Sequence, residues 1–222
     1  MLAKYHTLYK HAAVYQSKEA MVQALFVHPE WHVLDVWCCG QGIKIGDSNW
    51  VHEQLRARSA YVFGIDIMEE IKTLDPAIYH YAQQDAEDFD YAHRYDVVFA
   101  GDLIEHLSNP GLFLASAKKS MKPDGQLIVS TPNAFSMFNM IEKIFKLEPT
   151  VNIEHTVYFT LKTLDQLFSR YDLEIVQIGF IKHIWAHYSE SIFKKIQNGL
   201  YEIIGRCTPK MMEDIVIIAK NK

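Results

Sequence analysis

Three side chains that can bind a cation or move a proton lie close together in the chain, at Asp102, Glu105 and His106. Spacings of three and four residues would place them on one face of a helical turn. Carboxylate and imidazole groups arranged in this way suit a divalent metal such as Mg²⁺. Without a metal, His106 could act as a general base beside Glu105, because histidine titrates near neutral pH. The plainer alternative is that these residues only cap a turn.

A second set of chemical residues follows the apolar runs of the chain. Asp35 ends the first run and Gly40 and Gly42 follow it; Asp66 ends the second, with Ile67 after it; Asp85 and Ala86 follow the third, and Gly101 follows the fourth. Ligands of open parallel sheets bind outside the carboxyl ends of the strands, where glycine lets the backbone come close. The pattern therefore predicts one ligand site assembled from four strand ends.

The elements that must position these residues alternate along the chain. Short apolar runs rich in β-branched residues predict strands, and an apolar stripe with Ser17 as its N-cap predicts a helix over residues 17–27. The predicted strands are 32–36, 61–65, 78–82, 95–100, 126–130, 173–180 and 214–219, and the other predicted helices are 49–55, 68–74, 110–120 and 189–204. Alternation of this kind predicts parallel βαβ units, with the last strand a candidate for antiparallel pairing.

We therefore expect an α/β fold with a doubly wound, seven-stranded mixed sheet in a single domain over residues 1–222. Residues 1–30 would form an N-terminal helical cap. Residues 134–158 and 184–210 are apolar segments that would be insertions beside the ligand site, or else helices packed on the sheet. As insertions they could form a lid or contact lipid.

The strand-end residues favour a nucleoside ligand that also carries a cationic group. S-adenosylmethionine (SAM) has a ribose diol, an adenine amine and an ammonium group, which can all donate hydrogen bonds to carboxylates. Its sulfonium favours negative or π-rich surroundings. A dinucleotide would instead need a G-x-G-x-x-G turn at a helix N-terminus, and the sequence lacks that motif.

The ordered motifs resemble those of class I SAM-dependent methyltransferases, over roughly residues 30–180. They comprise Val33-Leu34-Asp35-Val36 with the glycine loop, Phe63-Gly64-Ile65-Asp66, Asp85-Ala86-Glu87, the segment from Ala100 to Leu107, and Ser130-Thr131-Pro132-Asn133. The resemblance implies a Rossmann-like fold. It also implies that Gly40 and Gly42 border the methionine part of SAM, that Asp66 binds the ribose, that Asp85 and Ala86 contact adenine, and that Asp35, Ile67 and Gly101 complete the cofactor site.

The glycine loop departs from the usual pattern of these families. Trp37 and Cys39 stand where glycine is usual, so the loop is expected to take another path and the affinity for SAM could fall. Trp37 and Trp50 are expected either in the core or in the wall of the ligand site.

The resemblance extends to the acidic cluster. Asp102-Leu103-Ile104-Glu105-His106 is similar to the metal-binding motif of ubiquinone-type O-methyltransferases and of small-RNA 2′-O-methyltransferases. Glu154-His155-Thr156 is similar to the segment that supplies a further histidine in the RNA enzymes. The resemblance thus implies a metal held by Asp102, Glu105, His106 and His155, or a metal-free site with His106 or His155 as general base.

The expected function is SAM-dependent O-methylation of a small or glycan-type acceptor, since the Ser-Thr-Pro-Asn and Glu-His segments resemble those of polysaccharide-biosynthesis methyltransferases. The alternatives are O-methylation of a quinol or phenol, 2′-O-methylation of RNA, and a non-catalytic SAM-binding module. A net charge of −5 and a pI near 6.1 argue against a nucleic-acid partner. Three cysteines without a disulfide or zinc spacing, and no signal peptide or transmembrane segment, indicate a cytoplasmic protein.

Overall fold

The computed structural model describes residues 2–40, 47, 49–149, 151–182 and 208–222. Its elements are α1 (Leu2–Lys10), β1 (Ala13–Tyr15), α2 (Lys18–Leu25), β2 (His32–Val36), α3 (Val51–Arg56), β3 (Tyr61–Asp66), β4 (His80–Gln83), β5 (Tyr95–Gly101), α4 (Pro110–Ser120), β6 (Met121–Pro132), α5 (Met137–Phe145), α6 (Leu161–Arg170), β7 (Leu173–Ile181) and β8 (Asp214–Asn221). Gly42, the predicted helix 189–204 and most of the predicted insertion 184–210 lie outside the described residues.

The strands form one mixed sheet in the order β1-β7-β8-β6-β5-β2-β3-β4. β8 runs antiparallel to β6 and β7, and the other neighbouring strands are parallel. The mixed α/β sheet is confirmed, but the predicted count of seven strands is wrong because the described residues contain eight. The extra strand is β1, which pairs with β7 and so places a sheet strand inside the expected helical cap. It has three residues with only Tyr15 buried, too few for a periodic pattern in the sequence.

Both faces of the sheet are covered by helices, as expected of a doubly wound fold. On β2, Leu34 and Val36 pack in one core with residues of α4 and α6, whereas Val33 packs in another with residues of α2 and α3. Burying one such side chain contributes about 1.5–3 kcal/mol. Period-two alternation along the strand therefore holds helices on both sides of the sheet.

Local sequence signals explain most helix positions. Ser17 caps α2, accepting a hydrogen bond from the backbone N–H of Ala20 at 3.1 Å. The predicted helix 68–74 is a 3₁₀ turn at Glu69–Thr73, and helix α6, capped by Thr160, was not predicted. Within the described parts of the chain, no helix has the length and hydropathy required to cross a bilayer.

Candidate active site

The carboxyl ends of the central parallel strands lie side by side. Val36 of β2 pairs with Ile65 of β3 and with Ala100 of β5. The chain therefore leaves these three strands at neighbouring points, and the residues that follow them face one edge of the sheet. Two cavities open at this edge, one on each side of Trp37.

The first cavity, which we call the Asp85 cavity, has a volume of about 350 Å³. Four residues predicted from the sequence to bind the cofactor line it: Asp66, Ile67, Asp85 and Ala86. Asp66 and Asp85 thus face a common space although they follow different strands. The acidic side chains expected around one nucleoside are therefore close enough to act together.

Backbone donors hold the Asp66 carboxylate. Its Oδ2 accepts from the N–H of Cys39 at 2.9 Å, and its Oδ1 accepts from the N–H of Met68 at 3.0 Å. Burial raises the pKa of Asp66, and these backbone donors oppose the rise. The carboxylate is therefore fixed in place between the loop after β2 and the loop after β3.

The second cavity, the Asp35 cavity, has a volume of about 600 Å³ and is lined by Asp35, Gly40 and Gly101 among others. Asp35 is buried, and its Oδ2 lies 2.8 Å from Nδ1 of the fully buried His52. Gly40 has a φ of 51°, a left-handed conformation that glycine adopts without strain. Gly40, which the resemblance assigned to the methionine part of SAM, therefore lines a different cavity from the residues assigned to the nucleoside.

Trp37 separates the two cavities and belongs to the wall of both. Its φ of 76° lies in the left-handed region, and its N–H donates to the carbonyl of Ile65 at 2.8 Å. Although a changed path was expected here, the backbone at Trp37 keeps a conformation that favours glycine. The indole ring lies 4.7 Å from the imidazole of His106, centroid to centroid, at an angle of 45°.

Glu105, His106 and His155 meet beside the Asp85 cavity. One possible ligand atom from each lies within 4.8 Å of the other two, and the two imidazole rings are 4.6 Å apart and perpendicular at 89°. Each side chain also has one buried atom without a hydrogen-bond partner among the described residues: Oε1 of Glu105 and Nδ1 of both histidines. Buried polar atoms are rarely left unpaired, so this cluster stands out as a site prepared for a ligand.

The backbone brings His155 to this place from about fifty positions further along the chain. Thr156 donates from its N–H to the carbonyl of Glu105 at 2.8 Å and from its hydroxyl to the carbonyl of Leu107 at 2.7 Å. Thr131 donates from Oγ1 to Oε2 of Glu105 at 2.8 Å. The end of β6 and the loop after α5 thus hold the cluster together.

Asp102 is separated from this cluster, contrary to the expected set of four ligands. It forms an ion pair with Lys18 of α2 and accepts from Oγ of Ser130 at 2.7 Å. Residues 104–106 form a turn in which the N–H of His106 donates to the carbonyl of Leu103 at 2.9 Å, and Asp102 lies outside it with a φ of 51°. The prediction that the three side chains share one face of a helical turn is therefore wrong, because the left-handed backbone at Asp102 directs its side chain toward Lys18 of α2.

The environment sets the protonation of the cluster. Burial, with smaller contributions from Asp102 and Asp214, raises the pKa of Glu105 to about 8. Burial lowers the pKa of both His106 and His155 below the ordinary histidine value. At neutral pH the two imidazoles are therefore uncharged, and the Glu105 carboxyl holds its proton.

The sequence did not predict two residues of the site, Lys18 and His52. Burial alone would lower the pKa of Lys18, but Asp102 and Asp214 outweigh it and raise the pKa above that of an ordinary lysine. His52 forms the buried pair with Asp35. Neither belongs to a motif, so only their tertiary contacts identify them.

A family model described as a methyltransferase domain matches residues 23–178. The ubiquinone biosynthesis O-methyltransferase of Neisseria meningitidis serogroup A is 32% identical over 113 residues, which cover 46% of this chain and 44% of that protein. The chain thus matches less than half the length of this curated relative.

Two solved structures share the fold across most of the chain. A SAM-dependent methyltransferase from Archaeoglobus fulgidus superposes with a TM-score of 0.61 at 20% identity, covering 92% of this chain and 93% of that one. A Burkholderia thailandensis 1,6-didemethyltoxoflavin-N1-methyltransferase, solved with bound 1,6-didemethyltoxoflavin and S-adenosylhomocysteine, superposes with a TM-score of 0.59 at 15% identity, covering 92% of this chain and 76% of that one. Since the family model covers more than half of the chain, the protein belongs to the methyltransferase-domain family.

Proposed function

We propose that the protein transfers a methyl group from SAM to a hydroxyl oxygen of a small acceptor, with SAM lying across the two cavities. The adenosine would occupy the Asp85 cavity, where Asp66 and Asp85 can accept hydrogen bonds from ribose and adenine. The methionine part would occupy the Asp35 cavity. The observation that carries the proposal is the cluster of unpaired polar atoms on Glu105, His106 and His155 beside the division between the cavities.

In this reaction the acceptor oxygen attacks the methyl carbon in line with the carbon–sulfur bond. That bond breaks, its electron pair stays on sulfur, and neutral S-adenosylhomocysteine (SAH) forms. The hydroxyl proton passes to the imidazole of His106 or His155, since burial lowers the pKa of both and leaves them free to accept it at neutral pH. Because the sulfonium is already a good leaving group, the protein contributes mainly by positioning the reactants.

A divalent metal is a second version of the same proposal, and the side chains fit one. Two neutral imidazoles and the Glu105 carboxyl, which would release its proton on binding a metal, each have an unpaired buried atom. This donor set suits first-row transition metals better than Mg²⁺. Glu105, His106 and His155 would hold it, whereas Asp102 is engaged with Lys18 and Ser130. When bound, the metal would lower the pKa of an acceptor hydroxyl.

For the acceptor we favour a phenol or quinol over a glycan. Helix α5 and the loop after it expose large apolar side chains, with Ile144 exposed by 75%, Leu147 by 93% and Ile153 by 97%. Ile153 lies two positions before His155, so along the chain this apolar segment leads directly to a residue of the proposed catalytic cluster. Such a surface suits an aromatic or lipid-like acceptor better than a sugar, and the matched relatives named as ubiquinone biosynthesis enzymes point the same way.

The test uses SAM labelled in its methyl group and offers a hydroquinone or catechol, an oligosaccharide and a short RNA in separate reactions. We expect the label in a methyl ether of the phenol. H106Q and H155Q should each lower kcat about 100-fold, whereas H28Q, an exposed histidine near the opposite edge of the sheet, should leave it unchanged. Transfer to nitrogen or carbon, or full activity of both H106Q and H155Q, would contradict the proposal.

The metal-bound and metal-free versions are separated by adding a chelator and then restoring Mn²⁺, Zn²⁺ or Mg²⁺. If the site holds a metal, activity should disappear in the chelator and return when the metal is restored. Calorimetry should then also detect binding of Mn²⁺ or Zn²⁺ to wild type and not to E105Q. Unchanged activity in the chelator would leave the histidine base as the working version.

A further inference from the structure

One aromatic ring stands where the two halves of SAM would join. Trp37 is the one described residue common to the walls of the Asp85 cavity and the Asp35 cavity. In SAM the sulfonium lies between the ribose and the methionine chain. If those two parts occupy the two cavities, as proposed above, the sulfonium must pass beside the Trp37 indole.

The backbone of Trp37 has a strained conformation, which indicates a functional role for this residue. A bulky residue with a φ of 76° is a conformational outlier, and such outliers concentrate at functional sites. Glycine would adopt this conformation without strain, so the loop geometry itself does not require an indole. The ring is half-buried between the cavities and in contact with His106, so its place in the site is what accounts for it.

Three carboxylates near this point already have partners. Asp102 is paired with Lys18, Asp35 lies 2.8 Å from His52, and both oxygens of Asp66 accept from backbone N–H groups. A positive sulfonium between the cavities therefore meets an aromatic ring more directly than an uncompensated anion. The electron-rich face of an indole attracts a cation, and tryptophan does so more strongly than the other aromatic residues.

We propose that Trp37 binds the SAM sulfonium through its indole face and so makes the site discriminate between SAM and SAH. SAM carries the positive charge and SAH, formed when the methyl group leaves, does not. The attraction is lost in the step that completes the reaction, which favours release of the product. The contact of Trp37 with His106 also places the methyl group on the side of the proposed catalytic cluster.

The test measures the dissociation constants of SAM and SAH by calorimetry, without any acceptor, so it does not depend on the proposed O-methylation. Removing the ring in W37L should lower the ratio Kd(SAH)/Kd(SAM) about fivefold. W37F, which keeps an aromatic face, should change the ratio less than W37L. W31L removes a tryptophan that packs against Phe26 at the other end of β2, and it should leave the ratio as in wild type.

An unchanged ratio in W37L would overturn the proposal. So would an equal gain in affinity for both ligands, since the ring would then be an obstacle rather than a partner. Should W37L fail to fold by circular dichroism, W37M removes the ring while keeping a long apolar side chain, and the same ratio decides. Failure of the O-methylation proposal would appear in the acceptor assay alone and leave this ratio intact.

Discussion

On the Asp66 side of the carboxyl edge, both oxygens of the buried carboxylate accept backbone hydrogen bonds, whereas on the Glu105 side three buried polar atoms have no partner among the described residues. Both regions border the Asp85 cavity, whose wall includes Asp66, Trp37 and His106. The difference separates two tasks. Groups that hold a cofactor can be fixed in advance by the backbone, but groups that bind an acceptor, a proton or a metal must keep a lone pair available.

The largest effect is expected from Asp66, whose carboxylate is held by backbone hydrogen bonds. D66A removes the predicted ribose partner and leaves the N–H groups of Cys39 and Met68 without their acceptor. We expect the Kd for SAM to rise about 100-fold, since two charge-assisted hydrogen bonds and the local loop order are lost. Calorimetry measures it.

D75A is the matched control for D66A. Asp75 also accepts a backbone hydrogen bond, from Ala77 at 2.9 Å, but it is exposed and does not line either cavity. Equal affinities for SAM in D66A and wild type would show that the ribose binds elsewhere, and the comparison between the two regions would then fail.

A smaller effect is expected from Glu105, whose Oε1 has no hydrogen-bond partner among the described residues, and it concerns the pH dependence of stability. Burial raises the pKa of Glu105 from 4.5 to about 8, so between these values the folded protein keeps a proton that the unfolded chain has released. Wild-type stability should therefore fall as the pH rises through this window. E105Q cannot ionise, so its stability should fall less, and thermal unfolding in a chelator at several pH values measures the difference.

E154Q serves as the control for E105Q, because Glu154 is an exposed neighbour of the same cluster. Its stability should follow the wild-type pH dependence. If the stability of wild type and of E105Q changed with pH in the same way, Glu105 would be ionised in the folded protein. The conclusion that its carboxyl holds a proton at neutral pH would then be wrong.

The smallest expected effect comes from the one hydrogen bond that Glu105 does make. T131V removes the hydroxyl that donates to Oε2 of Glu105 at 2.8 Å and keeps the shape of the side chain. We expect a loss of about 1–2 kcal/mol in the free energy of unfolding, measured by denaturant titration. T73V, which removes an exposed hydroxyl bonded to the carbonyl of Glu70, should cost less, and an equal cost for both would contradict a special role for Thr131.

The strands and the nucleoside side were largely predictable from the sequence. β2 has the predicted bounds, and β3 extends the predicted strand by one residue, to Asp66. Ordered strand ends bring Asp66 and Asp85 to one cavity because parallel strands share a carboxyl edge. The site near Asp102 was predicted less well, since a left-handed φ at a single residue redirects a side chain and no motif encodes it.

The sequence by itself determined the alternation of strands and helices, and with it the edge at which the chemical residues meet, because hydrophobic periodicity is a local property. The tertiary structure alone decided three things: that β1 adds an eighth strand, that Lys18 takes Asp102 away from the cluster, and that Thr156 brings His155 to His106. Each depends on contacts between residues that are far apart in the chain. Such contacts form only when the whole core packs, so no short stretch of sequence carries them.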